Sequence, residues 1–141
     1  MNTLNYLAGI IDGEGCVGII KVKPNGLNKT PRHILLLSIQ MQEKKVIDFL
    51  AKNFERNIMF QKARGNQKRP SYRITWQSEK ASTILKKVSP FLIGKRKQAD
   101  VAIEFQKHLA SKNRSGVRLS EEELKIRDNF HYIIGQLKIN P

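Results

Sequence analysis

The chain reads as an α+β domain in which helices back one face of a four-stranded antiparallel sheet. Three observations lead there. Segments with an apolar period of two are basic and free of acid, helical apolar spacing fills the intervals between them, and turn residues join the strands in pairs.

Taken in order, Leu7-Ala8-Gly9-Ile10-Ile11-Asp12 forms an apolar helix that ends abruptly in Gly13-Glu14-Gly15. Gly9 and Gly13 lie four apart and so share a face, with Leu7, Ile10 and Ile11 largely on another. Glycine costs a helix about 1 kcal/mol relative to alanine, so a pair of them suggests close approach of another backbone. Cys16 to Lys23 and Arg32 to Met41 are rich in Ile, Leu and Val, and Pro24-Asn25-Gly26 supplies a turn between them. Glu43 to Phe54 then places Val46, Ile47, Phe49 and Leu50 at helical spacing.

A second hairpin follows. Ser71 to Gln77 alternates strictly, with Tyr72, Ile74 and Trp76 apolar and Ser71, Arg73, Thr75 and Gln77 polar. Asn57 to Arg64 is its expected partner through a turn at Gly65 to Pro70. Glu79 to Val88 and Lys95 to Leu109 are helical by spacing, and Ser120-Glu121-Glu122-Glu123 is a capping box that opens a last helix with Leu124, Phe130, Ile133, Ile134 and Leu137. Ser111 to Gly116 is the candidate linker. Residues 1–141 are expected to form one domain, with a core over about 3–110 and extra C-terminal helices over 111–141.

The 26 Lys and Arg exceed the 12 Asp and Glu by 14, and the pI is near 10.2. Such a field attracts polyanions, and its distribution favours nucleic acid. Gly15 to Gln42 carries Lys21, Lys23, Lys29 and Arg32 with no acid, and Arg56 to Ser78 carries Arg56, Lys62, Arg64, Lys68, Arg69 and Arg73, again with none. No apolar run approaches the length that spans a bilayer, so no membrane partner is expected. Cys16 is the lone cysteine and is expected in the core. With no disulfide framework or signal-peptide pattern, the expected compartment is intracellular: an organelle (chloroplast or mitochondrion) or a prokaryotic cytoplasm.

The side chains expected to face nucleic acid are Lys21, Lys23, Arg32, Ser38, Gln40, Lys62, Arg64, Ser71, Arg73, Thr75, Gln77 and Lys97. If Arg32, Ser38 and Gln40 face outward, Ile34 and Leu36 share that side, either to meet thymine methyl groups or to lie under flanking loops. His33, His108 and His131 lack ligand spacing and are expected in surface or packing roles. A carboxylate at the foot of a small-residue helix, in so basic a chain, suggests metal-dependent chemistry on nucleic acid.

Leu7 to Gly15 resembles the motif of the LAGLIDADG homing endonucleases, with Ile10, Gly13 and Glu14 as substitutions of the kind members make. The helix and hairpin order resembles the αββαββα core of that family. Pro90-Phe91-Leu92 followed by Lys95-Arg96-Lys97-Gln98-Ala99 is similar to its single-motif subgroup, known from algal chloroplast introns. The resemblance implies a symmetric homodimer joined through Gly9 and Gly13, acting as a site-specific endonuclease on both strands of a near-palindromic double-stranded DNA. It implies Mg²⁺ held by Glu14 and the Gly13 carbonyl, with Mn²⁺ able to substitute and Ca²⁺ supporting binding without cleavage. By the same resemblance Lys95 stands near the scissile phosphate, and Glu43 occupies a position where many relatives have Gln, adding a catalytic-pocket carboxylate. Asp12 is left to organise the helix end or the subunit interface. Two other readings stay open at this level: an RNA-binding maturase acting on intron RNA, and a DNA-binding regulator without chemistry.

Overall fold

The computed structural model describes residues 2–24, 26, 30–112 and 119–140. The Asn25 turn position and most of the candidate linker lie outside them. The elements are α1 (Thr3–Glu14), β1 (Gly15–Val22), β2 (Arg32–Met41), α2 (Lys44–Asn53), β3 (Met59–Gln61), β4 (Ser71–Gln77), α3 (Ser78–Val88), a 3₁₀ turn (Ser89–Phe91), α4 (Arg96–Lys112) and α5 (Glu121–Ile139). The strands form one antiparallel sheet in the order β1-β2-β4-β3, with both expected hairpins present and joined through a β2–β4 pairing.

Helix α1 starts where the Asn2 side chain accepts the N–H groups of Leu4 and Asn5 at 3.1 and 3.2 Å, satisfying donors that the first turn leaves free. It buries Leu7, Ala8 and Ile11. These meet one inner sheet face made of Val17 and Ile19 from β1, Leu35, Leu37 and Ile39 from β2, and Ile74 and Trp76 from β4. Ile47 and Leu50 of α2, Leu85 of α3, Phe105 of α4 and Ile134 of α5 complete the core. Tyr72 and Trp76 point inward as expected, Trp76 against Phe54 and Tyr72 against Phe60.

Two element expectations are corrected. The partner of β4 spans only Met59–Gln61, because Ile58, Met59 and Phe60 are apolar in succession and lack the alternation that a longer strand needs. Helix α5 turns a partly polar face inward: Glu123, Arg127 and Ile134 are buried, while Ile133 is exposed. The polar part is internally satisfied, since Arg127 Nε donates to Glu123 Oε1 at 2.9 Å and His108 Nε2 lies 2.8 Å from the same oxygen.

All three histidines therefore fasten α5 to the body. His131 Nδ1 donates to the Ile19 carbonyl on the β1 edge at 2.8 Å, covering a strand edge that would otherwise offer free pairing groups. His33 Nε2 donates to Asp128 Oδ1 at 2.8 Å, an oxygen shared with Lys21 Nζ. Burial holds the His33 pKa below its usual 6.5 against the opposing pull of Asp128. The unfolded chain then takes up a proton near 6.5 that the fold resists, so this histidine's contribution is present above that pH and is lost below it. Urea unfolding is expected to show wild type losing more stability than His33→Gln between about pH 7 and about pH 5; equal losses would contradict this placement of His33.

Candidate active site and nucleic-acid interface

The site begins at the joint between α1 and β1, where no loop intervenes. A Cβ on Gly15 would lie 2.8 Å from the Ile11 Cα and carbonyl oxygen, so only glycine lets the chain leave the helix this closely. Glu14, the last helical residue, is thereby held exposed at the start of the sheet. Asp12 faces the other way. Its carboxylate accepts the N–H of Ile93 at 2.8 Å and of Lys95 at 2.9 Å. Burial alone would raise its pKa, but the N–H groups of Ile93, Lys95 and Gly94, with the Lys95 charge, together hold it below 3.8. Asp12 organises the helix end and is committed to the chain before α4.

Lys95 closes the arrangement. Its Nζ donates to the carbonyls of Ile11 and Asp12, both at 2.9 Å, a cation on helix-end carbonyls where the dipole favours one. Two of its three donors are thus engaged by the motif helix itself. The Gly13 carbonyl belongs to the same last turn, where carbonyls lack intrahelical donors.

Glu14 opens onto a cleft of about 430 Å³, lined also by Glu43, Gln40, Gln42 and Ser71. Two carboxylates from distant parts of the chain thus share one solvent-filled space. Glu43 caps α2, its Oε1 accepting the Lys45 N–H at 3.3 Å. Among the described residues no three His, Cys, Asp or Glu gather as a metal cluster. The lining offers two carboxylates and side-chain amide oxygens, which suit a hard divalent cation that takes its remaining ligands from water and phosphate.

The outer sheet face follows from register. Ser38, Gln40, Thr75, Arg73 and Gln77 share it, with Arg32 at its far end. Arg73 Nε is buried without a hydrogen-bond partner among the described residues. Four expectations change here. Lys21 has the opposite parity: in β1 the outward residues are Cys16, Gly18, Ile20 and Val22, so Lys21 faces the helices and pairs with Asp128 at 2.8 Å. Ser71 is on the outer side but only 4 % exposed, because Gln40 Nε2 donates to its Oγ at 2.7 Å. Lys62 and Arg64 lie beyond the short β3, exposed in the connection to β4 rather than on a strand. Cys16 is exposed rather than core. Lys23 is exposed just past β1 and Lys97 in the first turn of α4, outside the sheet itself.

Two contributors were missed by sequence reasoning. Gln61 donates no charge but its Oε1 accepts from Gln40 Nε2 at 3.0 Å, so Gln40 is held by partners on two strands. Lys138, near the end of α5, reaches the outer face: its Nζ is 3.5 Å from Cys16 Sγ, and it lies over Gly18. Nothing local in the sequence marks it, since its position depends on how α5 docks.

Among the described residues no helix is long and apolar enough to cross a membrane. No family model matches the sequence, and no curated protein matches it significantly. Solved structures do match. The homing endonuclease I-CvuI, in complex with DNA in the presence of Mg, superposes with a TM-score of 0.75 at 17 % identity, over 96 % of this chain and 81 % of that one. The homing endonuclease I-TnaI gives 0.63 at 18 % identity, over 97 % and 96 %. The LAGLIDADG homing endonuclease I-SmaMI, bound to cleaved DNA, gives 0.71 at 18 % identity, over 91 % of this chain and 42 % of that one. The class that these likenesses define is the LAGLIDADG homing endonuclease fold, and the chain adopts it. Within that class it has the length of I-TnaI and under half that of I-SmaMI.

Asp12→Ala is expected to lower stability by about 1.5–3 kcal/mol, the usual worth of hydrogen bonds to a charged acceptor. A depressed carboxylate contributes above its unfolded pKa, so the difference from wild type should shrink as pH falls below 3.8. A pH-independent difference in urea unfolding would contradict the role given to Asp12.

Proposed function

We propose that the chain is a site-specific double-strand DNA endonuclease that works as a homodimer with Mg²⁺. The observation that carries this reading is Glu14, exposed at the foot of a glycine-faced helix, opening onto the cleft that it shares with Glu43 beside the outer sheet face. The fold shared with DNA-bound homing endonucleases supports it.

A Cβ added at Gly9 or at Gly13 meets nothing within 4 Å, so that face of α1 is open to another backbone. A second copy packed there through a two-fold axis brings its own Glu14 alongside the first, as an isologous contact requires. That this chain covers 42 % of I-SmaMI supports two such folds per working unit. Glu14, Glu43 and the Gly13 carbonyl would hold the cation, which would supply neutralisation of phosphate charge and activation of a water for attack. Lys95 has three donors, two of them on α1 carbonyls. The third directs positive charge to the phosphate beside Glu14. Arg73, Thr75, Gln77 and Ser38 supply donors and acceptors suited to base edges, and Lys23, Arg32, Lys97 and Lys138 supply charge for the backbone. Mn²⁺, with similar oxygen chemistry, replaces Mg²⁺, and Ca²⁺ supports binding without cutting; I-CvuI was solved with its target in the presence of Ca.

Glu14→Gln keeps shape and removes charge. Cutting of a target selected from a randomised duplex library is expected to fall by about 10²- to 10³-fold or more, the scale of losing one electrostatic partner of a reacting group, with binding retained. Cleavage at the wild-type rate would end the assignment. Arg73→Ala is expected to cost about 1–3 kcal/mol at the base pair it reads and little at others; uniform weakening across single-base target variants would make it a phosphate contact instead.

A further inference from the structure

The outer face of the sheet is not uniformly polar. On β2, β4 and β3 it presents Ser38, Gln40, Thr75, Arg73 and Gln61, but on β1 and the far half of β2 it presents Ile20, Val22, Ile34 and Leu36. Ile20 and Ile34 are register partners, Leu36 pairs with Gly18 and Val22 with Arg32, so the four make a continuous strip along two strands. Ile20 is 40 % and Val22 39 % exposed, while Ile34 and Leu36 are half-buried. The sheet alternates so that Val17, Ile19, Leu35 and Leu37 already fill the core, and the strip adds nothing to it.

We propose that this strip reads thymine, by packing its side chains on C5 methyl groups in the outer part of each half of the DNA target. The inference rests on the nuclease reading and adds the base that this part of the sheet selects. The setting of the strip chooses the occupant. Arg32 stands at its outer end and Lys138 lies over Gly18 at its inner end, within a chain of net charge +14. An apolar surface closed at both ends by cations matches a groove walled by phosphates. On β2 it leads from Leu36 to Ser38, into the hydrogen-bonding half of the same face. In the major groove the thymine methyl is the apolar feature, and no other base offers one.

Strand geometry gives the position. Gly18 and Val22 are four and eight residues beyond Glu14, which at ~3.4 Å per residue is about 14 and 27 Å. With ~3.4 Å per base pair, and β1 running along the groove, the strip covers steps about four to eight base pairs from the cut. Ser38, Gln40 and Arg73 lie nearer the centre and read by hydrogen bonds.

The test uses a duplex that wild type cuts, selected from a randomised library, with its thymines replaced by deoxyuridine. That change keeps every hydrogen bond and removes only the methyl. With Ca²⁺ in place of Mg²⁺, wild type is expected to bind about 3- to 5-fold more weakly for each methyl lost in the outer steps, the effect of one buried carbon, and unchanged for the inner steps. The double variant Ile20→Gln with Ile34→Gln is expected to bind thymine and uracil duplexes alike. Equal binding of the two duplexes by wild type overturns the proposal, as does a penalty that persists in the variant. Loss of the DNA-free dimer in the variant also overturns it, since the strip would then be a contact between copies. If wild type cuts no member of the library, the nuclease reading itself fails, and the two failures are thereby distinguished.

Discussion

Asp12 accepts the N–H groups of Ile93 and Lys95, and the position of Glu14 two residues later depends on that tie. The two acids of the motif are chemically alike and do opposite work. Asp12 is drawn into the protein, where backbone donors keep it ionised at the end of α1. Glu14 is left exposed because Gly15 allows the chain to turn at once into β1. Lys95, carried by the same segment that Asp12 captures, brings its charge to the α1 carbonyls. One set of hydrogen bonds therefore fixes the helix end, the start of α4 and the cation on the α1 carbonyls.

The sheet converts this point into a surface. Because β1 begins at Gly15, every later residue has its face set by counting from the motif, and β2 and β4 inherit that parity through their register. The inner face takes the large aliphatic residues, and the outer face receives what remains. A shift of one residue at the joint would exchange the two faces. The compact joint and the division of the sheet are thus parts of one constraint, and α5, fastened by histidines to β1, β2 and α4, preserves it from the side.

Much of this was legible in the chain. Alternation in Ser71 to Gln77 named β4 and its faces, helical spacing located α2, α3 and α4, and the glycines flanking two acids pointed to the site. The failures have physical reasons. Cys16 to Ile20 is apolar or small at both parities, so periodicity could not say which side of β1 faced out, and Lys21 was assigned to the wrong one. Asp12 was read as organising the helix end, but its partners there, N–H groups some eighty residues away, are revealed by no local pattern. The Ser71 hydroxyl looked available until Gln40 was placed against it across the strand pair. Burial of Glu123 and Arg127 ran against the apolar rule because the two satisfy each other.

The central claim is that the open face of α1 meets its own copy, so that two Glu14 side chains come together. Cross-linking tests this directly. In a Cys16→Ser background, which removes the lone native thiol, Gly9→Cys is expected to form a disulfide-linked dimer under mild oxidation, since glycine-faced helices in contact bring Cα atoms within the ~7 Å that a disulfide needs. A chain that stays monomeric after oxidation, while an exposed cysteine placed elsewhere reacts freely with an added thiol reagent, would contradict the account.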